Sequence, residues 1–552
     1  MRRSIHVLGF LLAASAAASI AAGADHEHGA PPSPSGTPPL FTGLGTHHFP
    51  VTTKSPKAQI YFDQGIRLVY AFNHDEAIRA FREAARLDPS CAMAHWGVAY
   101  ALGPNINLPV DAEREKLAHE EVAKGLTLAP KATARERAYI AALSKRYTAD
   151  PNPDYHALDV AYADAMRALT KKFPNDLDAA TLFAEALLDV RPWDYWTLDG
   201  KPQPGTQEIV STLEGVLKRS PNHIGAIHYY IHAVEASPHP ERAVRYADRL
   251  ARLAPSAGHL VHMPSHLYIQ VGRYNEVSEL NRKAIAADRA YIDQEKPQGV
   301  YPLMYYTHNI HMRWAGLTFQ GRSADALRAA RSVVGAVPPD AVRKMPPMEF
   351  WLPVPYYAMA RFGKWEDILK EPAPPSDLRF TTGMWHYARG VARAATGEDG
   401  LAAVERDSVA VIAAATPADA MAGINASRPL LELAATVLSG EIALRRGSHE
   451  DAIRIFREAV AKQDSLRYDE PPPWYYPVRQ SLGLALLKAG RAEEAERVYR
   501  EDLKRYPGNG WSLYGLMESL NARGRVTEAT QARARFKKAW ARADVQLSGS
   551  VY

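Results

Sequence analysis

"YFDQGIRLVYAFNHDEAIRAFREAARLDP", residues 61–89, sets the small residues Gly65, Ala77 and Ala84 among the large apolar Leu68 and Phe81 and stops at Pro89. Small side chains at helical spacing let two helices pack closely, and a terminal proline lacks the backbone donor needed to continue a helix. The frame recurs outward. Ala243, Ala247, Leu250 and Pro255 carry it, then Val277 and Ala284, then Ala326, Ala330, Val333 and Pro338. Ala452, Phe456 and Ala459 mark a further copy, and "SLGLALLKAGRAEEAERVYREDLKRYP" (481–507) repeats it with Gly483, Leu486, Ala495, Tyr499 and Pro507. Weaker copies start near Met93, Ala180, Leu352, Trp385 and Leu513. No alternating strand pattern competes with this frame.

Order and spacing of these residues resemble the tetratricopeptide repeat, a helix pair of about 34 residues. The resemblance implies an all-α fold, an α-solenoid of about ten or eleven stacked helix-turn-helix repeats. A chain of 552 residues exceeds one ordinary core, and an array accounts for that length. The stretches "FNHDEAIRAFREAARLDPSCAMAHWGVAYALGPNIN" and "GHLVHMPSH" resemble exported bacterial members of the family, a His-rich subgroup. The resemblance is specific for fold and nearly silent on activity. It implies a scaffold that takes a protein or peptide in its concave groove.

Three insertions break the frame: "LGPNINLP" (102–109), "RPWDYWTLDGKPQPG" (191–205) and the run through "YIDQEKPQGVYPLMYY" (291–306) before His308. Loops of this content either reach over one face of a solenoid or pad neighbouring helices.

Seven of the 20 histidines fall between His223 and His266. His228 and His262 are one repeat apart, as are His232 and His266. Aligning the repeats on Ala243, Val277 and Ala326 puts His228, His262 and His311 in one slot of the first helix. His232 and His266 share a second slot, and His259 and His308 a third. These slots lie three and four residues apart, on one helical face. In arrays of the resembled family that face lines the groove, while Ile227, Tyr230, Ile231 and Val234 take the core positions. Neighbouring helices ~8–10 Å apart let imidazoles on successive repeats meet at a shared ion with bonds of ~2.0–2.1 Å. Imidazole suits zinc, copper or iron. Glu185 and Asp178 occupy matching slots of an earlier repeat, and Glu185 is the candidate carboxylate ligand. The candidate metal set is therefore His228, His232, His259, His262, His266, His308, His311 and Glu185. Pro264 interrupts it, since it must kink the helix or start a new one after His259 and His262. The alternative is a groove that uses histidine for hydrogen bonding, or a duplicated sequence without chemistry.

The rest of the chain narrows the class. A net charge of +5 without a Lys/Arg block argues against nucleic acid or an anionic membrane as the main partner. "MRRSIHVLGFLLAASAAASIAAGAD" has a basic start, an apolar stretch and a small-residue site ending at Ala24, which reads as a secretory signal peptide over 1–24. That predicts a periplasmic or secreted protein with no transmembrane segment after cleavage; a membrane anchor is the alternative. Residues 25–56 read as a Pro/Gly-rich linker or an arm on the domain, with His26, His28, His47 and His48 expected in solvent and loose metal binding by them as the alternative. The remainder divides into N-terminal repeats (57–222), His-rich repeats (223–340) and C-terminal repeats (341–552). Cys91 is the single cysteine, so no intramolecular disulfide forms. H-E-x-x-H, G-x-S-x-G, phosphate-loop and dinucleotide patterns are missing. Two functions stand: a protein- or peptide-binding scaffold, or a metal-binding protein extending to a metal-dependent hydrolase or oxidase.

Overall fold

The computed structural model describes residues 36–552; the signal-peptide reading and His26 and His28 lie outside the described residues. Helix hairpins follow one another from Pro56–Val69 with His74–Leu87 to Gly510–Ala522 with Val526–Ala539. Among the described residues the named strands are the two-residue pair Met421–Ala422 and Asn425–Ala426.

The quoted stretch shows why the frame exists. The Phe81 ring lies between Gly65 and Gly97, where an added Cβ would come within 2.4 and 2.5 Å of it. Tyr499 is held in the same way by Gly483 and Gly515. The glycines are the room that one large ring needs between two helices. Gly65→Ala is therefore expected to cost about 1–3 kcal/mol by overpacking, read as a lower denaturant midpoint with an unchanged slope.

One hairpin, Ala134–Leu143 with Tyr155–Lys172, lies outside the copies read from the frame. It buries Tyr139, Tyr162 and Met166 together with Ala142 and Ala163, and it has no glycine.

The array curls until distant hairpins touch. Gly225 sits against the Tyr70 ring, which leaves no space for a Cβ. Arg79 pairs with Glu295 at 2.8 Å. Further on, Trp511 Nε1 donates to the Thr318 carbonyl at 3.2 Å, and Asp544 accepts from the Ser323 and Ala324 amides at the start of helix Ser323–Gly335. The first hairpin thus closes onto the His-rich repeats from one side and the last repeats from the other.

Residues 38–55 form an arm across the first hairpins. Gln59, Asp63, Gln64 and Arg67, all on helix Pro56–Val69, hydrogen-bond the arm backbone at Val51, Phe49, Phe41 and His47. Phe49 is fully buried against Phe62, Trp96 and Tyr139. His47, expected in solvent, instead donates to Asp178 at 2.9 Å, because the arm is packed rather than free. His48 meets Asp63 at 2.8 Å and stays half exposed.

Candidate metal centre

Helix Ile224–Val234 carries His228 and His232. Helices Gly258–His262 and Pro264–Gln270 carry His259, His262 and His266. Met263 keeps right-handed helical angles between them, so the chain stays helical through Pro264 and only the one backbone donor is lost. His308 lies on helix Tyr306–Phe319, just after the π-turn Tyr301–Tyr305.

These six imidazoles converge as two triads. In the first, His228 Nε2 lies 3.1 Å from His232 Nε2 and 3.1 Å from His259 Nε2. In the second, His266 Nε2 lies 2.6 Å from His262 Nε2 and 3.4 Å from His308 Nε2. Within each triad all three ligand-capable atoms fall within 4.8 Å of one another. The triads adjoin, with ring centres 5.6 Å apart for His232–His266 and 5.8 Å for His259–His262.

The opposite ring nitrogens fix where the protons are. His228 Nδ1 donates to the Tyr70 carbonyl at 2.7 Å. His262 Nδ1 donates to Asn281 Oδ1 at 2.7 Å, since the Asn281 amide nitrogen already donates to Ser265 and the Val277 carbonyl. His232 Nδ1 and His266 Nδ1 both donate to Glu235, one to each carboxylate oxygen. A neutral imidazole has one proton, so in each i,i+4 pair both Nε2 atoms present bare lone pairs to each other. Protonation does not relieve this near neutral pH. Burial pushes His232 and His262 down to about 3 and His266 to about 4, and His228 falls well below the usual range by burial and the neighbouring His232.

Glu470 adds a second carboxyl, 3.4 Å from His266 Nδ1. Burial, reinforced by the charge of Glu235, holds Glu470 far above the carboxylate range. Burial also raises Glu235, and the contact with His266 pulls against that shift.

The three insertions meet above the first triad. Trp193 Nε1 donates to Asn107 Oδ1 at 3.1 Å, and Asn107 Nδ2 donates to the Tyr305 hydroxyl at 3.4 Å. The Trp193 ring stands edge-on to His232 and the Tyr305 ring to His259. Phe72 closes the other side, its ring against His228, His232 and His259. Phe72 holds a left-handed φ of 54°, which a non-glycine residue keeps only where packing enforces it. His228, His232, His259, His262 and His266 are thus buried core residues, where the sequence predicts side chains lining a concave groove.

Two candidates lie elsewhere. His311 stacks on Trp314 at 5.3 Å and joins neither triad. Glu185 is buried beside Asp189, Arg146 and Tyr100, within an ion network of the earlier repeats. The sequence reading missed Glu235 and Glu470. Glu235 was legible, since it follows His232 by three on the same helical face; Glu470 comes from 200 residues beyond Gln270, its neighbour in space.

A further group, His47, Asp178 and His223, also meets the distance limit for a shared ion. It is satisfied without one. The Ala226 amide donates to His223 Nδ1, so His223 Nε2 bears the proton toward Asp178, which also accepts from Tyr70 and His47. Cys91 is buried, and burial raises its thiol to about 11, which leaves it unreactive.

The tetratricopeptide repeat family matches residues 62–102. No curated protein matches the chain in sequence. Among solved structures, the human IFIT1 dimer with m7Gppp-AAAA is 12% identical over 89% of this chain and 92% of that one, with a TM-score of 0.35. The human IFIT1 dimer with PPP-AAAA is 12% identical over 88% and 91%, with a TM-score of 0.34. Likenesses this distant carry no argument about the ligand. No helix among the described residues is long and apolar enough to cross a membrane. The family match spans the first described hairpin and helix Ala92–Leu102, and the same packing of one ring between two glycines recurs at Tyr499.

Proposed function

We propose that this protein is a transition-metal protein, an exported helical-repeat scaffold built around a histidine-only donor set. One observation carries the reading: in each triad an i,i+4 pair has both Nδ1 protons committed outward, so both Nε2 lone pairs face a common point. Two such nitrogens 3.1 Å apart repel unless a cation lies between them. An ion ~2.0–2.1 Å from each would subtend roughly 100°, within reach of tetrahedral coordination. Three imidazoles leave a fourth position open, the arrangement a metal-dependent hydrolase or oxidase requires. Zinc, copper and iron all accept imidazole; copper(II) binds most tightly in the general order of affinities.

Tetratricopeptide repeats generally mediate protein interaction, and a peptide or protein partner is the second reading. The backbone ladder from Gln59, Gln64 and Arg67 to the arm supports it, because it is how such a groove grips an extended segment. It ranks second because those side chains already hold the chain's own arm.

The test is protein purified without a His tag and analysed by elemental analysis and X-ray absorption. The expected result is a bound transition metal with a nitrogen-only shell at ~2.0–2.1 Å, lost in the His232→Ala/His266→Ala variant. Metal-free protein that also takes up none from zinc- or copper-containing buffer would refute the assignment.

A further inference from the structure

The six Nε2 atoms are not one cage. They divide into two sets, each compact, and each contains its own doubly committed pair: His228 with His232, and His262 with His266. One ion can relieve only one of these pairs at bonding distance, because the lone pairs of each pair aim at their own partner. Glu235 joins the sets from behind, accepting a proton from one histidine of each. Outer carboxylates of this kind fix the tautomer and raise the basicity of the ligand they hold.

The sets also differ in their surroundings. His228, His232 and His259 are at most 2% exposed and sit beneath Phe72, Trp193 and Tyr305. His308 is half-buried, and among the described residues its sole hydrogen-bond contact is His266. It is the one ligand of the six with an edge to solvent. It also directly follows a π-turn, a helix irregularity frequent at functional sites.

Resting on the metal reading above, we propose that the centre holds two ions. One is sealed in the His228–His232–His259 triad. The other, in the His262–His266–His308 triad, meets solvent beside His308 and there exchanges a small ligand. Glu235 couples the two sites by orienting a ligand of each.

The test titrates chelator-stripped full-length protein with zinc(II) and, separately, copper(II), with bound metal counted by native mass spectrometry after desalting. Wild type is expected to retain two ions, His228→Ala one, and His308→Ala one. A single ion in wild type, lost in either variant, would overturn the pair and leave the metal reading intact; no ion at all would overturn both. The wild-type count needs no variant, so a misfolded substitution does not block the answer. Glu235→Gln is expected to weaken both sites by about 10–100-fold; weakening at one site alone would remove its shared role. Azide, a small anionic probe, is expected to shift the copper spectrum of His228→Ala, which keeps the exposed site, and to leave that of His308→Ala unchanged. The reverse pattern would overturn the assignment of the solvent-facing ion.

Discussion

Chelation is expected to remove a large share of the stability of the His-rich repeats. A ligand that binds only the folded state stabilises it by about 4 kcal/mol at a free concentration 1,000-fold above Kd, and each site contributes separately. The structural reason is local. Without a cation, the bare Nε2 atoms of His228 and His232, and of His262 and His266, face each other at 3.1 and 2.6 Å in a buried centre. The loss falls on helices Ile224–Val234 and Gly258–His262, which the His228–His259 contact joins, on helix Pro264–Gln270, and on the first hairpin, whose Phe72 packs on the rings. Thermal unfolding with and without chelator reads the size of the effect, and hydrogen exchange reads its place. The His232→Ala/His266→Ala variant should lose its sensitivity to chelator. An unchanged midpoint after verified metal removal would mean that no ion touches these nitrogens.

How far this centre was legible depends on the separation of its parts along the chain. Gly65, Phe81 and Gly97 lie within one repeat and its neighbour, and their spacing is a direct imprint of local packing. His228 and His262, and His232 and His266, recur at the repeat length, so a shared helical face could be read without coordinates. His311 occupies the same slot as His228 and His262 yet turns onto Trp314. By that hairpin the face has rotated past the cluster, and His308, a turn earlier, points inward instead. What the frame does not contain is closure. Tyr70 offers its carbonyl to His228 from 158 residues away, and Glu470 reaches His266 from the far side of the array. Such contacts follow from the curvature of the whole superhelix, a sum of small rotations that no single repeat specifies. The same closure turned a groove-lining face into a core. It also brought Asn107, Trp193 and Tyr305, each from a separate insertion, to one point above the first triad.

Arg146→Met is expected to be among the most destabilising single substitutions in the protein, while Glu185→Gln is mild. Arg146 is 2% exposed and pairs with Asp189 and, at 3.1 Å, with Asp159. Burial drives its guanidinium toward the neutral form, but Asp189 and Asp159 more than offset this and hold it charged. Burial raises Asp189 well above the carboxylate range, as does the neighbouring Glu185, and burial raises Glu185 too; Arg146 pulls against each shift. Removing the cation leaves buried carboxylates without a counter-charge, a loss of about 3–5 kcal/mol for a broken buried pair. The sign of the pH dependence follows. A carboxyl whose folded pKa lies above its unfolded value binds more protons in the native state, so stability falls as pH rises between those values. Without Arg146 the folded pKa values rise further, and the deficit should be larger at pH 8 than at pH 5. Denaturant unfolding at the two pH values checks this; an equal deficit at both would show that the lost packing of the Arg146 guanidinium over the Tyr162 ring dominates instead. Glu185→Gln removes one of the crowded carboxyls and keeps its shape, so it should leave both the midpoint and the bound metal close to wild type. Loss of metal in that variant would instead bring Glu185 back to the centre from which the fold separates it.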